Sequence, residues 1–338
     1  MGTSVRRSSG RVAGVAWALG AALAMGSAAA SMKALGAAGV GAATAVQGRL
    51  VVAAAALMAV ALVVRRGRLR VARRDWWAVA AYGVIGLAAN QLVFMLSLSR
   101  LSVGVALLLE YLAPVLVALW VRCVRREPVS RLVWAGIAAT VAGLGMVARV
   151  WAGFALDAVG FGLGLLAAAT MASRFVLADR GLRRHDPLVV AAWGTTASAA
   201  AMLVTAPVAP FRPDALARAA DLGGVGVPLV ALVGWAGVVG TAGGVVFSVA
   251  AQRLLAPTAT SLVVSLEVVV GAALAYAVLG EALTGAQVVG GAVMLAGIAL
   301  AQLATARGSV GAVVDRVRGD RGGHGAELGE QARLARQQ

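Results

Sequence analysis

Arg49, Glu110 and Glu267 stand deep inside long apolar runs, where a charged side chain has no water to solvate it. A charge at the centre of hydrocarbon costs about 2.5 to 3.5 kcal/mol on insertion scales, so each of these groups needs a partner or a task. Arg49 and Glu110 fall roughly 12 to 14 Å below the ends of their runs at about 1.5 Å per helical residue. Matched depth predicts an Arg49 to Glu110 interaction, either a fixed ion pair that orders the bundle or a pair exchanged for a charged group of a bound solute. Glu267 lies near the middle of its own run, with no second buried arginine to neutralise it. A carboxyl so placed is the candidate for proton coupling; the alternative is a glutamate that keeps its proton and hydrogen-bonds within the bundle.

Other side chains share that depth. Asn90 and Gln91 sit midway along one run, where amides either bond between helices or touch a solute. Tyr111 and Trp17 are candidates to line a cavity, as are Gln47, Trp193 and Ser265 on depth alone. Trp76 and Trp77 suit an interfacial position. Glu127 and Glu281 fall at turns into helices, where a carboxylate favours the positive end of the dipole. Metal and nucleotide chemistry finds little support: His185 and His324 are isolated, Cys123 is the single cysteine, and no glycine-rich phosphate loop ending in Lys-Ser or Lys-Thr occurs. No cofactor is expected.

Long apolar segments must position these groups. Hydrophobic residues make up 61% and charged residues 13% of the 338, against about half and about a quarter in a soluble fold. The formal charge of +16 sits in short arginine clusters between apolar runs, not in a stripe among aromatics, which argues against nucleic acid and for membrane topology. Runs of about 20 apolar residues predict ten transmembrane helices. They span Val12–Met32, Gly41–Val64, Trp76–Leu98, Leu101–Val121, Leu132–Val150, Ala158–Ala178, Pro187–Val208, Val227–Ala250, Leu255–Leu279 and Ala286–Ala304. Backbone amides in hydrocarbon need partners within their own segment, which dictates helices. The first run, led by arginines and followed by Ala28-Ala29-Ala30-Ser31, also resembles a cleavable signal, but its length and a counterpart in mid-chain favour a retained helix.

Lys and Arg collect in cytoplasmic loops. With the N-terminus inside, the inner segments hold Arg6, Arg7, Arg11, the clusters Arg65–Arg74 and Arg122–Arg131, then Arg174, Arg180, Arg183, Arg184 and Arg253. The outer loops hold only Lys33, Arg100, Arg149, Arg212 and Arg218. Both termini are therefore expected in the cytoplasm, with the protein multi-pass in the plasma membrane. Residues 1–11 form a cytoplasmic segment, and 305–338, rich in Gly, Arg, Glu and Gln, a disordered tail.

The chain also aligns with itself. Residues 79 to 143 lie on 233 to 297 without a gap: Gly83, Val84, Gly86 and Ala88 meet Gly237, Val238, Gly240 and Ala242, while Gly136 and Gly143 meet Gly290 and Gly297. The rarer pair Glu127 and Glu281 anchors that register. Upstream, Gly14, Leu19, Met25 and Ser27 meet Gly160, Leu165, Met171 and Ser173, with the change of register absorbed by a longer loop between the seventh and eighth helices. Two repeats follow, residues 12–150 and 157–304. Five helices is an odd number, so the second repeat enters the membrane from the opposite side. Inverted repeats can exchange conformations and open a central site alternately to each side, as secondary transporters do.

The ends of the repeats carry a resemblance. The second has Ser265-Leu266-Glu267-Val268, then Gly280-Glu281, Gly290-Gly291-Ala292 and Ala296-Gly297; the first has Pro114, Arg126-Glu127, Gly136 and Ala142-Gly143; and Arg49 stands in the second helix. From about residue 12 to 304 this pattern resembles the drug/metabolite transporter superfamily, specifically its EamA-type members. The chain departs where many members place Pro after the helix glutamate, since Val268 stands there, and Glu110 lies one turn before Pro114. The resemblance implies a basket of ten helices around a central cavity, coupled to the proton gradient, with a small-molecule substrate such as an amino acid, another metabolite or a drug. An intramembrane enzyme would need a clustered Asp, His or Ser constellation, and this chain has no deep His or Asp and no paired acids close in sequence within a span. A non-transporting scaffold or lipid scramblase is the remaining alternative, and would tolerate loss of Arg49, Glu110 and Glu267.

Overall fold

A computed structural model describes residues 2–66, 69–126, 130–149, 156–177, 185–204, 207, 210–222 and 224–305. Glu127, most of the expected tail and several loop arginines lie outside the described residues. Among the described residues ten helices are long and apolar enough to cross a bilayer. They are α1 (Gly2–Ala37, apolar from Val12), α2 (Ala42–Val64), α3 (Arg73–Leu98), α4 (Val103–Cys123), α5 (Arg131–Ala148), α6 (Ala158–Leu177), α7 (Pro187–Val204), α8 (Leu229–Gln252), α9 (Ala259–Leu279) and α10 (Gly285–Thr305). The expected spans match these in order and in place. The long loop between α7 and α8 holds an antiparallel hairpin absent from the all-helical expectation, β1 (Ala219–Leu222) and β2 (Val225–Pro228), turning through Gly224 at φ 87°.

Packing reveals how the halves relate. The principal neighbours of α1 are α8 and α9, those of α2 are α7 and α8, those of α3 are α6 and α7, and α4 also packs on α6. Exchanging each helix with its repeat partner, α1 for α6 and so on, turns this set of contacts into itself, as a pseudo-two-fold requires. The sharpest case is the crossing of α5 and α10. A Cβ on Gly136 would lie 2.6 Å from the Gly297 carbonyl oxygen, and one on Gly143 the same 2.6 Å from that of Gly290. Since Gly136 is the repeat partner of Gly290, and Gly143 of Gly297, each contact is the image of the other. That is the self-complementary interface of a two-fold axis. Glycine lets the two backbones touch, the usual basis of close helix contact in lipid.

Two helices are broken at repeat-equivalent points. In α4 the turn at Tyr111 and Leu112 separates Val103–Glu110 from Ala113–Cys123. Pro114 explains it, because it has no N–H to offer the Glu110 carbonyl. In α9, whose first helical segment begins at Pro257, the turn at Ser265 and Leu266 separates Pro257–Val264 from Glu267–Leu279 with no proline at the break. There the Val268 N–H bonds the Ser265 carbonyl at 3.2 Å, and the Ser265 hydroxyl donates to the Leu262 carbonyl at 2.7 Å.

The two ends of the bundle differ. On the face away from the N-terminus, every residue from Thr44 to Leu50 of α2 and from Val103 to Ala113 of α4 is buried, whereas Leu116–Val121, toward the N-terminal face, are partly exposed on all sides of α4. A polar tie closes the buried end. Lys33 of α1 donates to the carbonyls of Leu98 (2.6 Å) and Leu101 (2.7 Å) and pairs with Glu281 at 3.1 Å. The other oxygen of Glu281 accepts the Val103 N–H at 2.9 Å. Gly280, left-handed at φ 69°, ends α9 and turns Glu281 toward that contact. Glu281 was expected at the start of a helix in its own repeat; it caps α4 of the other repeat instead, where the positive dipole end favours a carboxylate.

Candidate functional site

The polar groups of the interior gather where two helices widen. Val84–Ala89 of α3 and Ala236–Gly243 of α8 are π-helical, at repeat-equivalent positions. Such single wide turns free backbone and side-chain groups, and they recur at functional sites. Thr241 sits inside the α8 turn, its hydroxyl donating to the Ala236 carbonyl at 3.1 Å, five residues back. The same hydroxyl oxygen accepts the Arg49 Nε–H at 2.9 Å, while Arg49 Nη1 donates to Gln91 Oε1 at 2.8 Å. Gln91 lies just past the α3 wide turn, so both widened turns serve one arginine.

Arg49 is 8% exposed and makes no ion pair with Glu110, contrary to the expectation from matched depth. Depth along a helix does not set direction around it. Arg49 turns toward α3 and α8, whereas Glu110 lies beside Asn90 of α3, and the two interact only through space. Asn90 in turn donates to the Ala167 carbonyl (2.9 Å) and to Thr170 Oγ1 (3.3 Å) of α6. Glu267 meets Tyr111: the phenol donates to Glu267 Oε2 at 2.8 Å and lies 3.4 Å from the Val264 carbonyl. Thus the broken turns of α4 and α9 touch, through the first residue after one helix segment and the first residue of another. Glu267 is half-buried, within electrostatic reach of Glu110, Arg49 and Arg174.

The remaining candidates are placed elsewhere. Gln47, 1% exposed, donates to the Met202 carbonyl at 3.0 Å and ties α2 to α7. Trp193 packs edge-on to Trp76 at 5.1 Å and donates to the Leu69 carbonyl at 2.9 Å, at the N-terminal end of the bundle. Trp17 is 43% exposed and lies against Phe247 at 5.4 Å. Ser265 serves the break in α9. Sequence reasoning missed Thr241, Thr170 and Arg174. The threonines carry no charge to mark them, and Arg174 was grouped with the loop arginines because it stands near the end of its run.

Comparison with known proteins bears on the whole chain. The model of the EamA-like transporter family matches residues 12–149 and 158–303. A solved structure described only as "Crystal structure of protein" is similar in fold, with a TM-score of 0.57 and 22% identity over 86% of this chain and 96% of that one. A search of the curated proteins found no match. Ten apolar helices in two halves, each half matched in full, carry one conclusion: the chain is a multi-pass membrane protein and belongs to the EamA-like transporter family, within the drug/metabolite transporter superfamily.

Proposed function

We propose that the protein is a proton-coupled secondary transporter that exports a small metabolite, amino acid or drug-like compound across the cytoplasmic membrane by alternating access. The arginine clusters between the apolar runs support cytoplasmic termini. The reading rests above all on the contact between Tyr111 and Glu267, where the broken turns of the two repeats meet. A carboxyl at that joint feels both halves, so its gain or loss of a proton can bias how they sit on one another. The burial asymmetry supports the same reading, with the bundle closed at the Lys33 end and looser toward the N-terminal face, as in an inward-facing state. The solute would lie in the seam between the halves, reached by Arg49, Glu110, Tyr111 and Glu267.

The test is flux in proteoliposomes with an imposed pH gradient. Glu267→Gln keeps the shape of the side chain and removes its titration. It should leave exchange of solute measurable while abolishing accumulation driven by the gradient. Gradient-driven accumulation equal to that of the unaltered protein would refute Glu267 as the coupling group. No solute exchange or accumulation by the unaltered protein, or lipid scrambling that persists in the Arg49, Glu110 and Glu267 variants, would favour a scaffold or scramblase.

A further inference from the structure

Arg174 is the intramembrane cation whose bonding is unfinished. It lies in the last turn of α6, and its Cβ would be 2.7 Å from a Cβ built on Gly86 of α3. Gly86 is about ten residues beyond Trp76, hence roughly 15 Å from that end at 1.5 Å per residue, or about half of a 30 Å hydrocarbon core. Headgroup phosphates lie far from this depth. A helical side chain also leans back toward the start of its own helix. For α6 that direction is toward Thr170, one turn earlier, which already holds Asn90 beside Glu110.

Arg49 has Gln91 and Thr241, and Lys33 has two carbonyls and Glu281. Arg174, by contrast, makes no hydrogen bond or ion pair among the described residues, and its guanidinium carbon only lies 5.4 Å from the ring of Phe175. The C-terminal dipole of α6 favours a cation there but supplies no acceptor for the guanidinium protons. Arg174 is half-buried, so its guanidinium is not sealed within the bundle. Its planar fork of donors matches the oxygens of a carboxylate or phosphate.

We propose that Arg174 is the docking point for an anionic group of the transported solute, and so a specificity-determining residue. Glu110 and Tyr111 of α4 and Glu267 of α9 lie within electrostatic reach of Arg174, and Asn90 of α3 bonds Thr170, one turn before it. The two carboxyls oppose a second negative charge. The solute class is therefore a small monoanion, or a molecule carrying one anionic and one cationic group, in preference to a dianion. This inference rests on the transport reading only for the word solute; the binding claim stands by itself.

The test is thermal stability of the purified full chain in lipid nanodiscs with added benzoate, benzamide or succinate. Benzoate should raise the melting temperature with saturation, neutral benzamide of the same shape should not, and succinate should do so more weakly. Arg174→Gln should weaken the benzoate effect at least tenfold in concentration, and Arg174→Lys, which keeps a point charge, should weaken it less. Arg174→Lys also separates lost binding from lost folding, since it retains the stem packed on Gly86. Equal shifts with benzamide, no benzoate shift, or a benzoate shift that survives Arg174→Gln would each overturn the proposal. An Arg174-dependent shift in a protein that moves no solute in proteoliposomes would keep the anion site and refute transport instead.

Discussion

Removing the amine of Lys33 should open the closed end of the bundle. Lys33→Met keeps the stem and deletes a group whose three protons face the Leu98 and Leu101 carbonyls and Glu281. Charge-assisted bonds contribute about 1.5 to 3 kcal/mol each when buried. Here the Lys33 and Glu281 side chains keep 18% and 20% exposure, so water replaces part of what is lost. A net of about 2 to 3 kcal/mol is reasonable, or roughly 30- to 150-fold in the ratio of closed to open states at 1.4 kcal/mol per tenfold. The assay is labelling of a single cysteine by a membrane-impermeant maleimide from the Lys33 face. Cys123→Ser removes the native thiol, and Thr44→Cys or Val105→Cys, both buried at that end, supplies the reporter. Lys33→Met should raise the labelling rate by one to two orders of magnitude at either position. Exchanging the charges, Lys33→Glu with Glu281→Lys, should recover little. A lysine cannot accept the Val103 N–H, and a carboxylate would face two carbonyl oxygens. Unchanged labelling at both positions in Lys33→Met, or full recovery by the exchange, would refute the tie as what holds this end shut.

Three further outcomes follow from the geometry. Gly136→Ala places a carbon 2.6 Å from the Gly297 oxygen, where about 3.3 Å or more is needed, so it should cost about 1 to 3 kcal/mol in thermal unfolding. Gly290→Ala, its repeat partner, should cost nearly the same, and a difference of several kcal/mol between them would count against the two-fold crossing. Thr241→Val keeps the shape but removes the acceptor of Arg49 Nε, for a loss of about 1.5 to 3 kcal/mol; combined with Gln91→Leu it should prevent accumulation of folded protein, whereas near-normal melting of the pair would show that Arg49 finds other partners. Tyr111→Phe frees both Glu267 and the Val264 carbonyl from the phenol, and should alter the pH dependence of flux while sparing melting within a few degrees; an unaltered pH profile would remove Tyr111 from the coupling machinery.

Hydropathy and the self-alignment were enough to place ten spans and their inverted halves, because both signals extend over tens of residues. Single-turn features were less visible. Pro114 announces the break in α4, yet its counterpart at Ser265 and Leu266 has no proline and depends on a serine side chain bonding backward. The wide turns of α3 and α8 occur where Gly83, Val84, Gly86 and Ala88 repeat as Gly237, Val238, Gly240 and Ala242; the repetition was legible, the change of pitch was not. Arg49, Glu110 and Glu267 were found because charge in hydrocarbon is rare. Pairing Arg49 with Glu110 failed because depth along a run gives no rotation about it: Arg49 turns to Gln91 and Thr241, and the stem of Arg174 packs on Gly86 although its place in the run suggests a loop.

The glycine crossing of α5 and α10 carries a mechanical consequence. A motion that exchanges the conformations of two inverted repeats maps their shared axis onto itself. Helices that meet on that axis through bare backbone have no side chains to unlock and no register to trade. The α5–α10 pair can then serve as a stationary frame while the other eight helices swap roles around it. Spin labels on α5 and α10 should hold one fixed separation through a full cycle, against which the travel of α1, α4 and α9 can be measured.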